Sequence, residues 1–121
     1  RLLKEGTVDY VAMDIKGPLR KYAQIAGRPV DLEAIEKSVA LVQKFPDYEF
    51  RTTVLPCLHK KRDLIEIGRW LRGSRRYFLQ QFRPGKTLDP SYSKEKQYSH
   101  EELLDFQSWL RLYFGFCGVR D

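Results

Sequence analysis

The spacing of apolar residues switches between strand and helix periods along the chain, and that switching restricts the fold more than any other feature. Val8-Asp9-Tyr10-Val11-Ala12-Met13-Asp14-Ile15 is a nearly continuous apolar run, the pattern of a strand covered on both faces. Gly17-Pro18 ends it. Asp31 is a good N-cap, and Leu32, Ile35, Val39 and Val42 follow at helical spacing until Pro46 stops the helix. The segment from Tyr48 to Leu55 is rich in aromatic and β-branched residues and closes at Pro56. Leu64, Ile67 and Leu71 mark a further helix that ends near Gly73. Arg76 to Phe82 reads as a third strand, with Pro84-Gly85 after it. The polar stretch from Lys86 to Tyr98 is longer than most ordered loops, which marks it as a candidate for function. Ser99 with Glu102 forms a capping box that opens a last helix, lined on one face by Leu103, Phe106, Leu110 and Tyr113. The tail from Phe114 to Arg120 has the makings of a final short strand.

These signals predict strands near 8–15, 48–55 and 76–82 and helices near 31–45, 61–72 and 99–113. Strands separated by helices pair in parallel through right-handed crossovers. The expected class is α/β, built as three parallel β/α units in either an open sheet or a piece of a barrel. The 121 residues suffice for one domain, expected to span 1–121, and are too few for two. Apolar residues at 42% and charged residues at 31% fit a globular protein. No apolar run approaches the roughly 20 residues that span a bilayer, and the start at Arg1-Leu2-Leu3-Lys4 lacks a signal-peptide pattern. A start at Arg rather than Met points to a missing upstream portion.

Cys57 and Cys117 are far apart with no Cys or His at ligand spacing, so two free thiols in an intracellular protein are expected, and no zinc or iron–sulfur site forms from them alone. A net charge of +6 raises the question of an acidic partner. The basic residues fall in short groups, such as Lys60-Lys61-Arg62 and Arg75-Arg76, separated by acids. Without a sustained basic stripe or a known motif, solvated surface charge accounts for them better than nucleic-acid binding.

In α/β folds ligands bind at the C-terminal ends of parallel strands. The first strand finishes Asp14-Ile15-Lys16, a carboxylate and an ammonium on one face because side chains alternate with period 2. The second places Arg51 and Thr53 on one face of an otherwise apolar segment, and a buried guanidinium needs an acid, a phosphate or a ligand carboxylate. The third ends Gln80-Gln81-Phe82-Arg83. A purely structural ion pair remains open for both Asp14-x-Lys16 and Arg51. His59 and His100 have no evident carboxylate or nucleophile partner in the sequence.

At these residues the chain resembles a known family. The runs Val8 to Lys16, with its Asp-x-Lys, and Tyr48 to Pro56, with Arg-Thr-Thr-Val-x-Pro, are similar to the activating enzymes of glycyl-radical enzymes, which are radical-SAM proteins. Tyr77 to Phe82, Leu88-Asp89-Pro90 and Cys117 to Arg120 extend the likeness over essentially the whole chain. The anaerobic ribonucleoside-triphosphate reductase activating branch is the nearest in pattern, with pyruvate formate-lyase activating enzymes as cousins.

The resemblance implies a partial (β/α)6 TIM-like barrel of which this chain forms the C-terminal half, its strands corresponding to the fourth, fifth and sixth. It implies that Lys16 contacts S-adenosylmethionine, that Asp14 helps hold that site, through a bound monovalent cation or otherwise, and that Arg51 pairs with the methionyl carboxylate. Thr53 joins this binding set, while Arg83, where relatives can have His, or Gln81 would lie by the adenine. The implied chemistry is reductive cleavage of S-adenosylmethionine at a 4Fe-4S cluster and hydrogen abstraction from a glycine Cα of a partner reductase. A flavodoxin-like or ferredoxin-like protein would supply the electron, in the cytoplasm. The CxxxCxxC that would bind the cluster is absent, so the chain alone is expected to be catalytically silent. Two other readings stay open: a different radical-SAM enzyme on the same half barrel, and a non-catalytic basic α/β binding module. A half barrel also leaves an open strand edge and uncovered inner-face apolar surface, which favours self-association. The upstream coding sequence separates these classes: the activating-enzyme reading expects a CxxxCxxC roughly a hundred residues before Arg1, given the size of such barrels.

Overall fold

A computed structural model describes residues 10–82 and 97–120. Within them lie β1 (Tyr10–Asp14), a 3-10 turn (Leu19–Lys21), α1 (Tyr22–Ala26), α2 (Leu32–Val42), β2 (Asp47–Val54), α3 (Lys61–Trp70), β3 (Arg76–Gln81), α4 (His100–Leu110) and β4 (Phe116–Arg120). The strands form one sheet in the order β1-β2-β3-β4, every pair parallel. The tail is thus a fourth strand of the sheet and adds to the three expected units. The short α1 was not legible, because five residues are too few to display a helical period. Arg83 and the polar loop up to residue 96 lie outside the described residues.

Local chemistry accounts for the helix ends. Asp31 accepts a hydrogen bond from the Ala34 amide at 3.2 Å. Ser99 and Glu102 exchange the two bonds of a capping box, at 2.8 and 3.0 Å. Gly27 and Gly73 close α1 and the turn after α3 at φ of +76° and +89°, a region that a Cβ disfavours. The Lys60 amide donates to Asp63 at 2.9 Å, which satisfies one orphan donor at the start of α3.

The period-2 alternation of the strands divides the sheet into two unlike faces. Tyr48, Phe50 and Val54 of β2, Tyr77 and Leu79 of β3 and Cys117 of β4 point to one side. There they join Val39 and Val42 of α2, Leu64 and Ile67 of α3 and Leu103, Phe106 and Leu110 of α4 in a single core. A monotonic strand order with right-handed crossovers puts each connecting helix on the same side. The opposite face carries no helix among the described residues. Burial along β1 alternates between exposed and half-buried instead of being continuous, so the expectation of a strand covered on both faces is not met. Tyr10, Ala12 and Asp14 look out from the bare face, and β1 is an edge of the described sheet.

One buried polar chain stitches three strands together through the core. The Tyr77 hydroxyl donates to Thr52 Oγ1 at 2.6 Å, and Thr52 donates to the carbonyl of Ile15 at 2.8 Å. No described helix is long and apolar enough to cross a membrane. Thr52→Val keeps the volume but leaves the Tyr77 hydroxyl and the Ile15 carbonyl without their partner. It is expected to cost about 1–3 kcal/mol, read as a lower urea midpoint at unchanged slope.

Candidate functional site

The bare face is a layered polar surface, set by the register of the four strands. Asp14 stands beside Arg51, and Arg51 beside Phe78, which neighbours Gly118. One layer nearer the C-terminal ends lie Thr53, Gln80 and Arg120. One layer lower, Ala12 neighbours Glu49. This face therefore brings together Asp14, Arg51 and Thr53 from the sequence-derived set.

Glu49 is the electrostatic centre of this face. Its side chain is 3% exposed, although no helix among the described residues covers it. Arg120 shields it with two bonds, Nη1 to Oε2 at 2.7 Å and Nη2 to Oε1 at 2.9 Å. The Tyr10 hydroxyl donates to Oε1 at 2.6 Å, and Arg51 Nη1 stands 3.9 Å from Oε2. Burial alone would raise the Glu49 pKa, but the hydrogen bonds from Arg120 and Tyr10 and the two guanidinium charges outweigh it and hold the carboxyl below its usual range. The Arg120 guanidinium also lies 3.7 Å above the Phe78 ring, and Phe116 packs against that ring with centroids 5.7 Å apart. At Gly118 a Cβ would come within 2.7 Å of Phe78, so only glycine lets the two rings lie across β4.

Arg51 has two acids of different character. Its Nε donates to Asp14 at 2.5 Å, and the Asp14 side chain is 54% exposed. Such solvated pairs are worth about 1 kcal/mol or less. On the other side the Glu49 carboxylate is buried, hydrogen-bonded by Arg120 and Tyr10 and within 3.9 Å of Arg51. An incoming anion can therefore take the place of Asp14 at small cost, while Glu49 continues to orient the guanidinium. The freed carboxylate of Asp14 is then available to a cationic group of the same ligand. Beside them, Thr53 donates to Gln80 Oε1 at 3.3 Å.

The remaining sequence-derived residues lie elsewhere. Lys16 is exposed just past the end of β1. Gln81 alternates to the helix side of the sheet, where its Nε2 donates to the Tyr98 carbonyl at 2.8 Å. Its buried Oε1 has no partner among the described residues. Arg83 lies outside them. Sequence reasoning missed Glu49 and Arg120, and noted Gln80 at its strand end without assigning it to the site. Glu49 was legible in principle, since it shares the period-2 face of Arg51 and Thr53, whereas Arg120 reaches Glu49 across 71 positions of chain.

No group of three or more His, Cys, Asp or Glu among the described residues could hold a metal ion. Cys57 is exposed and Cys117 buried, the latter with its thiol pushed by burial up to about 12. The iron–sulfur cluster implied by the family resemblance thus finds no donor set there.

Among curated proteins, the chain is similar to one from Methanocaldococcus jannaschii that is named, provisionally, a glycyl-radical enzyme activating enzyme. The two are 28% identical over 124 residues, which cover 98% of this chain and 52% of the relative. The chain accordingly spans about half the length of the curated relative it matches. No protein-family model matches the chain, and no solved structure matches it. At this identity the likeness lends loose support to the glycyl-radical activating family and does not single out a branch of it.

Glu49→Gln leaves Arg120 facing a neutral amide and is expected to cost about 1–3 kcal/mol at neutral pH. Because the folded carboxyl titrates below 4.5, its stabilisation is complete above that pH and is lost as the pH falls toward the lowered value. The acid limb of a stability–pH curve should be shallower in the variant than in the parent.

Proposed function

We propose that this chain is the S-adenosylmethionine-contacting half of an activating enzyme that installs a glycyl radical on a partner reductase, of the anaerobic ribonucleotide reductase kind. The observation that carries the reading is the pairing of Asp14 and Arg51 on the uncovered face of a parallel sheet, toward the strand ends where α/β folds bind ligands. Likeness to the M. jannaschii protein along nearly the whole chain supports it.

The donor and acceptor set suits the amino-acid end of S-adenosylmethionine. Arg51 would take the carboxylate by a two-pronged contact, oriented from beneath by Glu49. Asp14 would accept from the ammonium, and Lys16 would contact the same ligand from the end of β1. Thr53 and Gln80 would offer a hydroxyl and an amide beside Arg51. Arg83 is the candidate for the adenine end, since Gln81 turns its amide to the helix side of the sheet, away from Arg51. Bound S-adenosylmethionine, with a reduced 4Fe-4S cluster held by residues outside this chain, would supply the power to abstract a hydrogen from a glycine Cα. The contribution of this chain is to bind and orient. By itself it is proposed to be silent, and the whole protein to work in the cytoplasm with a flavodoxin-like or ferredoxin-like electron donor.

The test is made on the full-length protein, reconstituted anaerobically with iron and sulfide. The parent should cleave S-adenosylmethionine. Arg51→Ala and Lys16→Ala should each weaken its binding by about tenfold or more, the scale of a lost charge-assisted contact. Unchanged binding and turnover in both variants would remove these residues from the site.

A further inference from the structure

Lys16 is exposed, yet its backbone lies against two buried side chains. Its amide lies beside the hydroxyl of Tyr22, itself 4% exposed. Its carbonyl accepts from His59 Nε2 at 2.8 Å, and His59 is 1% exposed. The other ring nitrogen, Nδ1, accepts from the Leu55 amide at 3.1 Å. An amide N–H can only donate, so Nδ1 carries a lone pair and the single ring proton sits on Nε2. The imidazole is therefore a neutral strut between the loop after β2 and the end of β1.

The surroundings brace that strut. The Tyr98 hydroxyl donates to the His59 carbonyl at 2.5 Å. Asp63 of α3, with a side chain 4% exposed, takes Lys21 at 3.1 Å and Arg20 at 2.9 Å from the 3-10 turn. At Gly17 a Cβ would stand 2.4 Å from Ile25 Cδ1, so the backbone next to Lys16 rests directly on α1. The path of the chain on either side of Lys16 is fixed, and the lysine stem is left free to reach a ligand.

We propose that His59 is a positioning residue, which sets the direction in which Lys16 leaves the sheet and so its reach toward the bound ligand. This inference rests on Lys16 being a ligand contact. A flexible lysine gives up rotamer entropy when held, and anchoring its backbone confines the search to the stem alone. A second ring proton would sit on Nδ1, donor against donor with the Leu55 amide, and would break the strut. Burial lowers the pKa of His59; the Lys16 carbonyl and the Asp63 carboxylate act in the opposite sense, and Lys21 acts with burial. The neutral form is therefore kept at pH 7, and the strut fails only on the acid side of 6.5.

The experiment measures S-adenosylmethionine affinity of the full-length protein, from pH 5 to 8, in a double-mutant cycle of Lys16→Ala and His59→Leu, with His59→Gln beside it. His59→Leu should weaken binding by about tenfold, and the double variant should lose little more than Lys16→Ala alone. His59→Gln keeps a donor for the Lys16 carbonyl and cannot titrate, so it should restore affinity at pH 7 and flatten the acid limb. Additive losses, or wild-type binding in His59→Leu while Lys16→Ala binds weakly, would overturn the inference and leave the assigned site standing. Wild-type binding in Lys16→Ala would overturn both. If His59→Leu fails to fold, the comparison of pH profiles between His59→Gln and the parent decides the matter: identical acid limbs sink the proposal.

Discussion

A carboxylate buried on an uncovered sheet face is the constraint on which the rest of this surface depends. Glu49 sits in the centre of the sheet, and an unpaired charge there would be prohibitive. It is paired from three strands at once: Tyr10 of β1, Arg51 of its own strand and Arg120 of β4. Those contacts tie both edges of the described sheet to its middle on the side that has no core. They also explain why Phe78 and Phe116 are tolerated on that face, since Arg120 covers the ring of Phe78. The helix side is held by ordinary burial, the other side by ion pairs centred on one buried anion.

This division lets one sheet serve two ends. Tyr48, Phe50 and Val54 are committed to the core and have no chemistry to offer. Glu49, Arg51 and Thr53, which alternate with them on β2, are committed to the polar face and contribute little to the core. Arg51 then has one buried anchor in Glu49 and one exposed, exchangeable partner in Asp14. A guanidinium held from below and only loosely capped from above is prepared for an anion without paying the full cost of ordering at the moment of binding. The loop beyond β1 repeats the principle in the backbone, where His59 holds the carbonyl of an exposed lysine.

The sequence carried most of the fold because its signals are local. Asp31, Ser99 with Glu102, Gly73 and the apolar spacings mark their elements within a few residues of where these begin and end. The same period-2 rule put Arg51 and Thr53 on one face, and the adjacent Asp14 was found by looking at strand ends. It has no hold on His59, which stands in a loop and is buried. It failed for Arg120, because a tail strand gives no sign of the partner it meets on the far side of a sheet.

What the sequence determined by itself, then, is the order of strands and helices, their parallel pairing and the polar character of one strand face. These follow from side-chain period, capping and chirality, which act over a handful of residues. Only the tertiary structure decided which acids meet which arginines, that Gln81 turns to the helix side while Gln80 joins Thr53, and that His59 reaches Lys16. Those outcomes depend on strand register and on crossovers that bring residues together from 17 to 71 positions apart, and no local pattern encodes them.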